Sequence, residues 1–410
     1  MRLTLFYDHL LDPVGGAPVG LHHLLRALPD DAEVSVWARR RDEAEPDLGA
    51  STVRRYDSTA ELHRQLGAWL DEDRPDVVIV IGFYIPANPP VAARLRRAGV
   101  PFVVAPLGQL ATSTMDGRVF SQGCDVGDLE QQTLNLDNAL DRIRDRTSPA
   151  IKRLYTLGAG RPMLAAAAAA AAMSEIEAAE IHAVDPDTTI VRLPWGVDTA
   201  TLVDEPDDEL ELWTDDDRTR LIVWSRLDWY FKGLDRVLAA TDAAARTTGT
   251  APFRVLLCGP DYRGGSNLAR EAATTNAADI AVASTGEYTP GSKRPLREAD
   301  GAVLLSRWDG SPRALREAVH FGLPLLVSPA THFADLVEST GAGIVVDDPE
   351  DVEAGATAVA EFVDGIRSGR FRPGVERLAH TLDWTTIGRD LVDQLATLAP
   401  VRRRRTQAAQ

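Results

Sequence analysis

Lys232 is one of only three lysines among the 44 basic residues of this 410-residue chain, and it shares the loop WSRLDWYFKGLD, 224–235, with Arg226. Two fixed cations in one loop can neutralise a diphosphate. An ammonium is a compact point charge, so in a chain that otherwise uses arginine its choice points to a place that a guanidinium does not fit. A solvated loop lysine stays open as the alternative, with Lys152 and Lys293 as stray lysines of that kind.

The segment SRWDGSPRALREAVHFGLP, 306–324, places Asp309 and Glu317 eight positions apart. A carboxylate accepts two hydroxyl hydrogen bonds at once, as recognition of a vicinal diol requires. Ser311 suits an N-cap and Pro312 the first helical position, while Gly322 and Pro324 mark the helix end. The turn Gly310-Ser311-Pro312-Arg313 opens this helix, whose N-terminus carries partial positive charge suited to phosphate. Gly15 and Gly16 follow the first apolar run and precede LHHLLRAL, where backbone N–H groups can approach an anion. Gly286-Glu287-Tyr288 ends the run DIAVAST and can expose backbone to a flat ring. Taken singly, each glycine pair or triplet is no more than a turn.

Short, nearly continuous apolar runs must position these residues. LTLFY, VSVWA, DVVIVIG and PFVVAP lie in the first half. RLIVWS, FRVLLCG, DIAVAST, GAVLLS, LPLLVS and GIVVDD lie in the second. Runs apolar on both faces and separated by helix-like stretches imply buried parallel strands, here in two α/β domains. Propensity makes the alanine block 165–172 a helix. Ser174 and Glu177 form a capping box that opens a new helix, so the preceding alanines read as a buried strand. Region 111–150 lacks strand pattern and reads as a functional loop, the candidate acceptor surface, or as a disordered stretch. The acidic run 204–217 reads as a solvated segment; Asp215, Asp216 and Asp217 as a metal site is the lesser alternative.

The net charge of −17 excludes bulk electrostatic binding to nucleic acid or anionic membrane. Two cysteines cannot form a disulfide framework, so a cytoplasmic location is expected. The N-terminus lacks the pattern of a signal peptide, and no run approaches the length of a membrane span. The basic tail around Arg402–Arg405 reads as a solvated terminus, with peripheral contact to an acidic surface as the alternative.

Together these residues resemble the family 4 retaining glycosyltransferases, which have the GT-B fold: two Rossmann-like, doubly wound parallel-sheet domains facing a cleft. The resemblance implies an N-terminal, acceptor-side domain over 1–198. It implies a C-terminal, nucleotide-sugar domain over 199–380. A helix within 381–410, opened by Trp384, returns to the first domain. Gly15 and Gly16 would touch the donor phosphate, Arg226 and Lys232 would hold the diphosphate, and Gly286 and Glu287 would lie near the base. Asp309 would meet the donor sugar, and Glu317 the ribose. Gly310, Ser311, Pro312 and Arg313 would complete the donor site. RLPWGVD, 192–198, is similar to the family's hinge. Three departures stand out: Asp309 replaces a glutamate, Trp195 an asparagine, and Leu107 a histidine that contacts the donor in many members.

The implied reaction is hexosyl transfer from a UDP- or GDP-linked sugar to an acceptor hydroxyl with retention. The acceptor would be a saccharide, a lipid-linked sugar or a small molecule. No metal and no cofactor beyond the substrate nucleotide-sugar is expected. A nicotinamide dehydrogenase would need a complete glycine fingerprint, which neither half shows. A sugar phosphorylase or epimerase of similar fold, or a catalytically silent binding protein, remains the alternative.

Overall fold

The computed structural model describes residues 1–11, 16–40, 48–49, 52–108, 110, 151–197, 213, 216–248, 251–262, 264–285, 293–310 and 312–399. In the first half β1 (Arg2–Phe6), β2 (Glu33–Arg39), β3 (Thr52–Tyr56), β4 (Val77–Ile81), β5 (Phe102–Ala105), β6 (Ala169–Ala172) and β7 (Ile190–Arg192) form one parallel sheet. Its strand order is β3-β2-β1-β4-β5-β6-β7. In the second half β8 (Thr219–Trp224), β9 (Phe253–Pro260), β10 (Asp279–Thr285), β11 (Gly301–Leu304), β12 (Leu325–Val327) and β13 (Gly343–Val345) form another. Its order is β10-β9-β8-β11-β12-β13. Helices cover both faces of each sheet, which is why every residue of β4 is buried and the run reads as continuously apolar.

All ten apolar runs become strands. Two further strands escape the pattern. β3, TVRRY, is a half-exposed edge strand with two arginines, and β7 has three residues. Of the alanine block, only Ala169–Ala172 is strand; Ala165 and Ala166 finish the helix Arg161–Ala166. Strand wins over propensity because Ala169–Ala172 are 0–3% exposed between β5 and β7. Ser174 is the N-cap expected, its side chain accepting from Glu177 N–H. The Glu177 carboxylate does not complete the box: it reaches instead to the amides of Met173 and Gly108.

The strand order reverses direction between β1 and β4 in the first sheet, and between β8 and β11 in the second. Open α/β sheets bind ligands beyond the carboxyl ends of strands at such points. The chain crosses between sheets at Leu193–Val197, where Val197 N–H bonds the Leu382 carbonyl at 2.9 Å. Trp195 lies against Gly20, where a Cβ would overlap its ring. The helix Trp384–Leu398, capped by Asp383, packs Ile387, Leu391 and Leu395 into the first domain's core beside the helix Gly16–Ala27. Gln394 closes this return by bonding both the N–H and the carbonyl of Arg192, on β7.

Candidate functional site

The second-domain site is built on the two strands that flank the switch point. The loop after β8 carries Arg226 and Lys232, and the loop after β11 carries Asp309 and Gly310. Arg307 ties them together. Its N–H bonds the Phe231 carbonyl at 2.9 Å, and its guanidinium bonds the Tyr230 carbonyl and Asp235 while lying 4.1 Å over the Tyr230 ring. Gly233 has φ of +64°, and a Cβ there would overlap the Leu305 carbonyl, so the turn after Lys232 requires glycine. This rigid turn sets the Lys232 ammonium on the Asp309 carboxylate as an ion pair, with side chains 18% and 13% exposed. The Asp309 N–H is fixed by the Ala330 carbonyl at 2.9 Å.

Arg226 leaves the same loop with different partners. It pairs with the buried Asp228 at 2.9 Å and lies 4.0 Å over the Tyr262 ring. Its position is held by stacking as well as by charge.

Glu317 is 3% exposed on the helix Arg313–His320. Its Oε2 accepts from Trp224 Nε1 at 2.8 Å and from Lys293 Nζ at 3.3 Å; its Oε1 accepts from Arg313 Nε at 2.8 Å. Lys293 is therefore no stray lysine. It is 4% exposed, paired with Glu317 and 5.0 Å over the Trp224 ring. Pro312, expected at the first helical position, stands at the N-cap with extended backbone, so the helix begins at Arg313. Gly16 opens the helix Gly16–Ala27. Gly15, Gly286, Glu287, Ser311 and the whole of 111–150 lie outside the described residues. Asp215 does too; Asp216 is engaged by Arg218 at 2.7 Å and Arg254 at 3.7 Å, an ion-pair role that leaves little for a metal.

A crevice between the domains is lined by Val19 and Gly20 of the first-domain helix, Gly196 of the crossing, and Arg313, Arg316 and Glu317. Glu317 thus looks into the cleft that the glycine-opened helix enters from the other side.

Residues 15–196 match the family model described as glycosyl transferase 4-like domain, and residues 218–364 match that of glycosyl transferases group 1. The chain belongs to the group 1 glycosyl transferases. Sucrose-phosphate synthase from Thermosynechococcus elongatus is similar in structure at TM-score 0.62 and 16% identity, over 97% of this chain and 98% of that one. HepE of Anabaena, solved in complex with UDP and glucose, gives 0.60 and 14%, over 97% and 100%. WaaG, a glycosyltransferase involved in lipopolysaccharide biosynthesis, gives 0.54 and 14%, over 97% and 99%. At such identities these likenesses show the GT-B fold. No curated protein matches the chain in sequence.

The cleft of this glycosyltransferase is bridged beside Asp309. Gly108, from the loop after β5, meets Gly310 so closely that a Cβ on Gly310 would lie 3.2 Å from Gly108 Cα. Glu177 holds the Gly108 amide, and burial pushes its carboxyl up to about 7 against the two amides that favour the ionised form. Ser174, which caps the same helix, is hydrogen-bonded at 3.1 Å to Nδ1 of His332 in the second domain. Burial lowers the His332 imidazole to about 4, opposed by the Asp309 charge, so the ring is neutral at pH 7. Leu107 and His332, on opposite sides of this contact, are the two non-glycine residues with left-handed backbone among those described, at φ of +56° and +54°. The Leu107 side chain packs on the first-domain core.

Glu177, Ser174 and His332 escaped sequence reasoning as site residues. The capping box located the first two but said nothing of the cleft. Lys293 had a signal: its rarity is the argument that singled out Lys232.

Proposed function

We propose that this glycosyltransferase moves a hexosyl group from a UDP- or GDP-linked sugar to an acceptor hydroxyl with retention of configuration, and without a metal ion. The observation that carries this reading is the Lys232–Asp309 ion pair at the carboxyl ends of the switch-point strands, with a second carboxylate, Glu317, on the helix that follows Asp309 and lining the interdomain crevice. Lys232 and Arg226 neutralise the leaving diphosphate, aided by the N-terminal dipole of the helix Arg313–His320. Stabilising charge that develops on the leaving group is the main catalytic contribution, and fixed cations supply it where other enzymes use a metal. Asp309 takes a donor-sugar hydroxyl once Lys232 turns to the diphosphate, and Glu317 takes the ribose. We assign Gly15, Gly16 and Gly310 to the phosphates and the sugar, and Gly286 and Glu287 to the base.

The UDP and glucose bound by HepE, which shares this fold, support a nucleotide-sugar donor. We assign the acceptor to 1–198, the donor to 199–380, and to 381–410 the helix that returns to the first domain. Among the described residues no helix is long and apolar enough to cross a membrane; we place the reaction in the cytoplasm on the two cysteines of the chain, too few for a disulfide framework.

The test is incubation with a panel of UDP- and GDP-hexoses, with and without candidate saccharide acceptors, in the presence of a chelator. The anomeric configuration of the product is read by NMR. Transfer with the donor's configuration kept supports the reading. Inversion overturns retention, loss of activity with chelator overturns metal independence, and binding without transfer or hydrolysis favours a silent binding protein.

A further inference from the structure

Glu317 carries more hydrogen bonds than a carboxylate waiting for a diol should. Its Oε2 already accepts from Trp224 Nε1 and Lys293 Nζ, and an oxygen of this kind has two lone-pair directions. Among the described residues Oε1 accepts one bond, from Arg313 Nε. The partners differ in exposure. The Lys293 side chain is 3% exposed and lies over the Trp224 ring, so that side is built into the domain. The Arg313 side chain is 28% exposed on the first turn of its helix, at the crevice.

We propose that Lys293, with Trp224, is a positioning residue for ribose recognition: together they saturate Oε2 and lock the carboxylate, so that only Oε1 receives the nucleotide's 2′- and 3′-hydroxyls as Arg313 yields it. This rests on the reading of Glu317 as the ribose-binding carboxylate and assigns the residues that aim it. The buried ammonium also keeps a negative charge affordable at a nearly solvent-free position, where an unpaired carboxylate would be strongly disfavoured. Trp224 ends β8 and Glu317 follows β11, so the arrangement spans the two switch-point strands. A lysine suits it because a single small charge must reach one oxygen while lying on an indole face; a planar fork would compete for Oε1.

The experiment measures affinity by calorimetry for UDP and GDP and for their 2′,3′-dideoxy forms, on wild type, Lys293→Met and Trp224→Phe. Wild type is expected to prefer the ribonucleotide at least tenfold. In Lys293→Met that preference should fall below about threefold, because the freed carboxylate no longer holds one aim. Trp224→Phe, which keeps a ring and removes one N–H, should lower it partway, and it decides the matter if Lys293→Met does not fold. A merely structural role for Lys293 predicts a lower melting temperature with the preference intact, and that result overturns the proposal. A wild-type preference near one instead overturns the reading of Glu317 itself, and binding of neither nucleotide overturns the donor site.

Discussion

The Lys232–Asp309 pair makes opposite predictions for its two members. The Lys232 ammonium is engaged by Asp309. A nucleoside diphosphate must therefore draw Lys232 away from a partner that is itself negative. Replacing Asp309 with Asn removes that competitor and one like charge while keeping the shape. A hydrogen bond to a charged group is worth about 1.5–3 kcal/mol net, and part of this opposes binding in wild type. Asp309→Asn should therefore tighten UDP or GDP by about 1 kcal/mol, roughly fivefold. It should slow transfer all the same, because the carboxylate proposed to take the sugar hydroxyl is gone. Lys232→Met should weaken the same nucleotide at least tenfold, about 1.4 kcal/mol or more. It should also lower stability, since Asp309 is left 13% exposed without its cation. Calorimetry on the two single variants and the double variant gives the signs directly, and urea unfolding gives the stabilities. In the double variant the stability defect should shrink while activity stays lost. If Asp309→Asn weakens nucleotide as much as Lys232→Met does, the pair works as one intact unit and Lys232 is not released to the phosphate.

Gly233→Ala should cost at least about 1–3 kcal/mol from the left-handed backbone alone, and more from overlap with the Leu305 carbonyl; a variant as stable as the parent and equal in nucleotide affinity would refute the role of this turn. Glu317→Ala should lower nucleotide affinity, and an effect confined to sugar preference would show that the two acids have exchanged roles. The cleft contact should show two opposed pH dependences. The His332 pKa falls to about 4 in the fold, so the stability it contributes is complete above about 6.5 and is lost as pH drops toward 4. Glu177 rises to about 7, so its contribution is complete below about 4.5 and is lost as pH climbs through 7. Each is worth up to about 3 kcal/mol, and in wild type they largely cancel between pH 5 and 6.5. His332→Asn, which tolerates the left-handed backbone, should leave stability falling with rising pH over that range. Glu177→Gln should leave it rising. Parallel urea midpoints in all three proteins would contradict this account.

Much of the fold was legible because doubly wound sheets bury their strands on both faces. All ten apolar runs are strands, and the order of the motifs along the chain matches the strands that carry them. β3 was hidden because an edge strand bearing Arg54 and Arg55 has no apolar signature. The alanine block misled in part because a single residue type carries no periodicity, so its helix-to-strand change at 167–168 leaves no mark. Lys232, Asp309 and Glu317 were legible as a candidate site because the segments that carry them follow the neighbouring strands β8 and β11. What the spacing did not show is that the acids arrive already partnered, Asp309 by Lys232 and Glu317 by Lys293, Trp224 and Arg313. Those pairings join residues far apart in sequence and depend on side-chain burial. The interdomain contact was invisible for a related reason: Gly108, Gly310, Ser174 and His332 meet only once both domains have folded.

The proposed donor site binds a nucleoside diphosphate through Lys232. Titration calorimetry of the unmodified protein with UDP and with GDP, repeated on Lys232→Met, tests it most directly. Saturable binding of at least one of them below millimolar concentration is expected, weakened at least tenfold by the substitution. Binding of neither at millimolar concentration, or equal affinity in the two proteins, would contradict it.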